Sequence, residues 1–339
     1  MNLQSPTPRL TILIPTFNRA DKLARLLQNI DDELARSGLA GRMDVLVSDN
    51  ASTDSTPQVL ATFKPAAYRL STFRQPENVG MDRNMQFLYE RATYEYIWFF
   101  SDDDILLPGS VAKVLEVLDA SSPDVVTCLT RQPPDVLRRP PDFSAPAEIL
   151  EEPARAVEPL TYWISVYILR RVVLDPQEKK ALEPFLGTDW WFMALACSIL
   201  QRSPRLRLGL IPEPLAIFEN QYRPVRFPPE TWAGYWKVYT HPFIAEHAPH
   251  LLKEKQKFTY SILIYYLFAV QAELIAVDDR QSYDAAVRNL EFRPAWLLVS
   301  PKTLLKFLLL KFTPKIIPAV ASWALAVLRW FGLRPAEGH

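Results

Sequence analysis

The chain has 339 residues, 49% of them hydrophobic and 12% aromatic, and its 38 basic residues balance 38 acidic ones to a formal net charge of zero. That length admits one large domain plus a smaller one, and the charge balance excludes a protein that holds nucleic acid through an overall basic field. Two cysteines, Cys128 and Cys197, both in apolar runs, exclude a disulfide framework and a thiolate metal site, and suit a reducing cytoplasm.

The opening MNLQSPTPRL has no positive segment followed by a long apolar run, so no secretory leader is expected. Strand and helix signals then alternate, the pattern of a mostly parallel sheet flanked by helices. Residues 10–14 form a short apolar strand ended by Pro15. The spacing of Leu23, Leu26, Leu27, Ile30 and Leu34 predicts an amphipathic helix after it, with Asn18 and Asp21 as a capping box. Residues 44–48 read as a second buried strand, and Thr56 followed by Pro57 opens the next helix. A weaker strand falls at 69–73, a helix at 81–91, a strand at 95–100, a helix at 110–119 and a strand at 124–129.

Polar residues gather just past three strand ends, at 16–19, 49–54 and 101–104. Ligands of open α/β sheets bind outside the carboxyl ends of the strands, so these loops are expected to meet at one crevice. Asn18 and Thr56 are also explained as helix caps, and Asp49 and Asp54 as turn formers around Asn50 and Ser52. The densest signal is WFFSDDD, residues 98–104, where a strand ends in three consecutive carboxylates. Asp102, Asp103 and Asp104 repel one another unless a cation, hydrogen-bond donors or water hold their charge. Oxygen ligands of this kind suit Mn²⁺ or Mg²⁺, the latter commonly held by one or two carboxylates plus substrate phosphates. A solvated acidic turn is the plain alternative.

Further along, residues 131–159 are rich in proline and lack periodicity, which predicts an irregular loop of the kind that forms lids or acceptor contacts, or a linker without a role. Residues 258–272 carry no charge, and 301–334 intersperse Lys302, Lys306, Lys311 and Lys315 with apolar residues, Trp323 and Trp330. The first stretch is shorter than the roughly 20 apolar residues a membrane span requires, and Pro314, Pro318 and the lysines break the second. Basic amphipathic segments suit the plane of a membrane interface, or they pack on each other or on a second copy in a homo-oligomer. The spacing of His241, His247 and His250 matches no helical metal pair, and neither a Walker loop nor a G-x-G-x-x-G occurs.

The segments TILIPTFNR, VLVSDNASTDST, ENVGMDRN and YIWFFSDDD, in that order, are similar to the nucleotide-sugar-binding half of family 2 glycosyltransferases with the GT-A fold, over residues 10–129. The resemblance implies that Pro15, Thr16, Phe17 and Arg19 border the base and ribose, that Asp49 accepts a hydrogen bond from the base, and that Arg83 meets the diphosphate. The family's D-x-D spacing falls on Asp102 and Asp104, with Asp104 the leading ligand for Mn²⁺ or Mg²⁺. Serines stand at 48 and 101 where many relatives carry aspartate, so the ribose contact shifts to Asp102 or Asp103.

Glycosyl transfer from a nucleotide diphosphate needs charge on the departing diphosphate to be stabilised, and an inverting transfer needs a carboxylate across the sugar to take the acceptor proton. The resemblance places that base at Asp189, after Thr188 and ahead of the apolar run WWFMALACSIL, where it is equally explained as a helix cap. Glu183 is the reserve. Trp190 and Trp191 offer a platform for a sugar ring or belong to the core.

The resemblance thus implies an α/β GT-A domain over 1–225, and the apolar and basic segments beyond it predict a helical, amphipathic, membrane-associating region over 226–339. It implies an inverting, metal-dependent enzyme of bacterial surface glycan synthesis on the inner face of the cell membrane. The expected donor is a nucleotide-diphosphate sugar of UDP or dTDP type, and the expected acceptor a saccharide or a polyprenyl-linked one. A non-catalytic nucleotide-binding assembly partner with the same fold is the alternative.

Overall fold

The computed structural model describes residues 9–129, 141–157, 159–160, 163–217 and 237–250. The amphipathic segments at 258–272 and 301–334 lie outside the described residues, all of which fall in one compact unit.

The first half alternates as β1 (Leu10–Thr16), α1 (Ala20–Arg36), β2 (Met43–Asp49), α2 (Thr56–Thr62), β3 (Arg69–Arg74), α3 (Met81–Arg91), β4 (Tyr96–Phe99), β5 (Ile105–Leu106), α4 (Ser110–Ser121) and β6 (Val125–Cys128). It continues through β7 (Glu148–Leu150), α5 (Pro153–Val157), β8 (Ile168–Arg170), α6 (Pro176–Leu182), α7 (Trp191–Arg202), β9 (Leu208–Ile211), β10 (Ala216–Ile217) and α8 (Pro242–His247). Eight strands form one sheet in the order β3-β2-β1-β4-β8-β6-β9-β7. The β3-β2-β1-β4 pairings are parallel, while β8 runs antiparallel between β4 and β6 and β7 runs antiparallel along β9. Leu10, Ile12, Leu13 and Ile14 of β1 are wholly buried, as expected of a central parallel strand covered on both faces.

From β1 the chain steps outward through β2 and β3, then returns to lay β4 on the other side of β1, so the sheet changes direction between β1 and β4. The β1–β2 register runs to Thr16↔Asp49, but the β1–β4 register stops at Leu13↔Phe99. Pro15, inside β1 rather than ending it, has no N–H with which to extend that ladder. The strands part there, at the topological position where open α/β sheets take their ligands.

Two sequence expectations are corrected, and the choice left open for Trp190 and Trp191 falls to the core. Asn18 and Asp21 form no capping box: the N-cap of α1 is Arg19 without a side-chain cap, and the Ala20 N–H instead donates to Asp54 Oδ2 at 3.1 Å. Residues 131–140 and 158 of the stretch 131–159 lie outside the described residues, and the rest is not irregular throughout, because β7 and α5 fall within it and β7 extends the sheet at its edge. Trp190 and Trp191 are 4% and 0% exposed, so neither is a platform for a sugar ring; Trp191 packs edge-on against Tyr89 and Phe99. Cys128 and Cys197 are free and buried; burial pushes the Cys128 thiol up to about 12 and raises that of Cys197 as well, so neither is a thiolate. Among the described residues, no helix is long and apolar enough to cross a membrane.

Trp98 links the sheet to the segment before β8. Its wholly buried indole donates from Nε1 to the Ser165 carbonyl at 2.9 Å and meets the Phe100 ring edge-on at 5.4 Å. Trp98→Ala is expected to lower unfolding stability by about 3–5 kcal/mol through the cavity and the orphaned carbonyl. Urea unfolding followed by circular dichroism measures this; a loss below about 1 kcal/mol contradicts the assignment.

Candidate functional site

The loop after β1 is held in place by the loop after β2. Asn18 sits at φ +52, in the left-handed region that asparagine tolerates, and its Oδ1 accepts the Thr53 and Asp54 N–H groups at 2.7 and 3.3 Å. In return the Asn18 N–H donates to Ser52 Oγ at 2.8 Å. This lacing turns Thr16 and Arg19 toward β4. Thr16 Oγ1 donates to Asp102 Oδ2 at 2.7 Å, and an Arg19 amino group lies 2.8 Å from both Asp102 Oδ1 and Asp103 Oδ2. Lys22 Nζ stands 3.5 Å from Asp103 Oδ2.

The three carboxylates are therefore not a solvated turn. Asp102, Asp103 and Asp104 are 4%, 1% and 3% exposed, and each has its own partners. Ser101 Oγ donates to Asp103 Oδ1, and Ser165 Oγ donates to Asp104 Oδ2 at 2.6 Å while accepting the Ser101 N–H at 2.9 Å. Burial pushes the Asp102 carboxyl above the usual carboxylate range against the pull of Arg19 and Thr16. Burial lowers the Arg19 guanidinium's affinity for its proton, but Asp102 and Asp103 outweigh that and raise it.

Among the described residues no three His, Cys, Asp or Glu side chains are grouped to hold a metal ion. The buried aspartate oxygens still suit a hard cation whose remaining ligands come from substrate phosphates, as Mg²⁺ or Mn²⁺ allows.

At the end of β2, Asp49 Oδ1 accepts the Ser52 N–H at 2.9 Å, but its buried Oδ2 has no hydrogen-bond donor. Arg74 forms an ion pair with that oxygen, its Nε 3.7 Å away. An acceptor left unpaired in a buried position is costly unless a ligand completes it. The adjoining Asn50 side chain donates to Asn78 Oδ1 at 2.8 Å and accepts the Val79 N–H at 2.9 Å, fastening the loop before α3. Gly80 caps α3 at φ +82, ψ +164, a conformation open essentially to glycine alone. Arg83 follows in the first turn, exposed and without a partner among the described residues. Phe17 is 40% exposed, and Pro15 is half-buried.

Asp189 lies elsewhere in sequence, before α7, with backbone φ +66. It does not cap that helix: the N-cap is Trp190, without a side-chain cap, and the N–H groups of Thr188, Asp189 and Trp191 donate to Asp82 at 2.8, 2.8 and 3.2 Å. Burial, and next the charge of Asp189, raise the Asp82 carboxyl to about 6. Glu183 is exposed in a 3₁₀ turn.

The structure brings Thr16, Arg19, Asp102 and Asp103 into direct contact and keeps Asp49 at the neighbouring strand end. Asp82 precedes Arg83 in sequence and accepts hydrogen bonds from the turn that carries Asp189. Sequence reasoning missed Ser165 and Asp82. Asp82 stood inside the quoted ENVGMDRN segment, whereas Ser165, in an apolar run, carried no signal.

The sequence model of Glycosyl transferase family 2 matches residues 11–166. Over 124 residues the chain is 33% identical to abequosyltransferase RfbV of Salmonella typhimurium, covering 35% of each chain. It is 27% identical over 110 residues to the GalNAc(5)-diNAcBac-PP-undecaprenol beta-1,3-glucosyltransferase of Campylobacter jejuni, covering 32% of this chain and 34% of that one. These matches span about a third of the length of the curated relatives. Among solved structures, the mannosyltransferase PcManGT of Pyrobaculum calidifontis, in complex with GDP-Man and Mn²⁺, superposes with a TM-score of 0.50 at 17% identity over 91% of this chain and 88% of that one. Residues 1–349 of S. aureus TarS, in complex with UDP, give 0.51 at 14% identity over 95% and 85%. At such identities the likeness shows the fold, which is of the GT-A kind.

Proposed function

We propose, from the premise that residues 11–166 belong to glycosyl transferase family 2, that this protein moves a sugar, with inversion, from a nucleotide-diphosphate sugar to a hydroxyl of a saccharide or polyprenyl-linked acceptor in bacterial surface glycan synthesis. The observation that carries the reading is the meeting of Thr16 and Arg19 with Asp102 and Asp103 where β1 and β4 part, beside the unpaired buried Oδ2 of Asp49.

Asp49 Oδ2 accepts an N–H of the base, for which N3–H of uracil or thymine would serve in the expected UDP or dTDP donor; guanine and cytosine also carry N–H donors, and the nucleotide screen below separates them. Pro15, Thr16, Phe17 and Arg19 border base and ribose, and Asp102 or Asp103 takes the ribose hydroxyls. Arg83, at the N-terminus of α3, meets the diphosphate where helix dipole and guanidinium both favour an anion. Asp104, with Asp102, would hold Mn²⁺ or Mg²⁺; when bound, the ion supplies positive charge for the departing diphosphate. Asp189 takes the proton of the acceptor hydroxyl as that oxygen attacks the anomeric carbon from the opposite face.

A screen of UDP, dTDP, GDP and CDP with Mn²⁺ for thermal stabilisation tests the donor site. UDP or dTDP is expected to raise the melting temperature, since a ligand at 100 times its dissociation constant stabilises by about 2.7 kcal/mol. A flat response to all four overturns the reading.

The similarity to an enzyme named for an undecaprenol-linked substrate supports an acceptor at the inner face of the cell membrane. The basic segments between residues 301 and 334 would attach the protein there. The full chain is expected to co-sediment with anionic liposomes, and a chain ending before Pro294 to stay in the supernatant. No sedimentation by the full chain assigns those segments to packing within the protein or with a second copy.

A further inference from the structure

We propose that Asp82 is a positioning residue: reaching from the helix that carries Arg83, its buried carboxylate holds the turn that presents Asp189. The assignment rests on the reading of Asp189 as the base.

The start of α7 has N–H groups that no intrahelical carbonyl can satisfy, and its own N-cap, Trp190, offers no side-chain acceptor. An aspartate one residue before the cap would ordinarily be drawn into that role. Asp82 takes it instead. Oδ2 accepts from Thr188 and Asp189, each at 2.8 Å, and Oδ1 accepts from Trp191 at 3.2 Å, across more than a hundred residues of sequence. Three backbone N–H donors on one carboxylate that is 1% exposed form a rigid, charge-assisted anchor.

The turn needs such an anchor. Asp189 is at φ +66, unfavourable for a residue with a Cβ, and such a conformation persists only where its surroundings enforce it. Thr188 braces the inside of the turn, donating from Oγ1 to the Phe185 carbonyl at 2.6 Å and accepting the Trp190 N–H at 3.2 Å. Asp82 holds it from outside, and a carboxylate there also repels that of Asp189 from the cap. Its burial beside another acid lifts it to about 6, so the arrangement is costly for simple capping, which a neutral side chain can do.

Asp82 and Arg83 are consecutive in the first turn of α3, one buried and one exposed. The same helical turn therefore offers an exposed guanidinium to the donor and an anchor to the base, and fixes the spacing between them.

The full chain is compared with Asp82→Ala, Asp82→Asn, Asp189→Asn and the Asp82→Ala/Asp189→Asn double variant. Amide hydrogen exchange is the first readout, and nucleoside diphosphate release from UDP-glucose, dTDP-glucose and GDP-mannose with Mn²⁺ is the second. Exchange at Thr188, Asp189 and Trp191 is expected to quicken at least about tenfold in Asp82→Ala. The effect is smaller in Asp82→Asn, whose carbonyl still accepts two of the bonds. Turnover kcat is expected to fall about 100-fold with donor KM changed less than about twofold, and adding Asp82→Ala to Asp189→Asn is expected to cost nothing more. Unchanged exchange overturns the anchor, whether or not any of the three donors is turned over. Faster exchange with unchanged kcat leaves a structural cap and overturns positioning, as does additive loss in the double variant. Full turnover by Asp189→Asn overturns the base reading itself, a result visible without any change at Asp82. If Asp82→Ala does not fold, Asp82→Asn carries the same comparisons.

Discussion

Asp189→Asn is expected to reduce sugar transfer by about 10²–10⁴-fold while leaving the stabilisation by UDP and Mn²⁺ within about twofold of the unaltered protein. Asparagine matches aspartate in shape and tolerates the left-handed backbone at φ +66, so the turn itself should survive. The backbone N–H groups bonded to Asp82 do not depend on the side chain at 189. What disappears is the carboxylate able to take a proton, together with its repulsion of Asp82. Loss of that repulsion acts in favour of the folded protein above pH 6, where the raised carboxyl of Asp82 is ionised and the repulsion is felt. A loss confined to kcat, with an undiminished melting temperature, separates a missing base from a collapsed site. Full transfer by the variant would remove Asp189 from the mechanism and reopen Glu183, which is exposed nearby in sequence.

Much of the sheet was legible because its signals are local. The runs around residues 10–14, 44–48 and 95–100 are apolar for the length of one strand, and a strand buried on both faces needs little else to declare itself. The loops at their carboxyl ends could be placed at one crevice from topology alone. Long-range polar geometry was not legible. Asn18 satisfies every local rule for a cap, yet a left-handed backbone turns it toward the following loop, and Asp54 serves α1 instead. The aspartate at 189 satisfies the same rule, and Asp82 serves α7. In both places a carboxylate distant in sequence replaces the local cap. No spacing rule detects that, because the choice depends on which loops the sheet brings together. Ser165 is hidden for a related reason: its role exists only because β8 inserts antiparallel beside β4, and antiparallel insertion into a parallel sheet left no mark in the hydropathy pattern.

Asp104→Ala is expected to abolish the Mn²⁺-dependent part of nucleotide binding, because it removes the leading carboxylate ligand of the proposed site. Asp104 is 3% exposed, its Oδ2 is oriented by the Ser165 hydroxyl, and a buried carboxylate oxygen so placed suits a hard divalent ion. Without Asp104, a divalent ion brought in would have to take Asp102 and Asp103 from Arg19, which stands 2.8 Å from both. The substitution also orphans the buried Ser165 hydroxyl, at a cost of about 1–3 kcal/mol to the fold. A companion variant therefore separates the two effects. Ser165→Ala keeps the Asp104 carboxylate but removes the donor that orients it, and loss of such a supporting hydrogen bond typically weakens metal affinity by about 10–100-fold. Melting temperatures with UDP alone and with UDP plus Mn²⁺ distinguish the cases. Asp104→Ala should show no difference between the two conditions at any Mn²⁺ concentration, whereas Ser165→Ala should recover the difference as Mn²⁺ is raised. An undiminished Mn²⁺ effect in Asp104→Ala would move the ligand role to Asp102 and Asp103, and with it the need for Arg19 to swing away before the donor can bind.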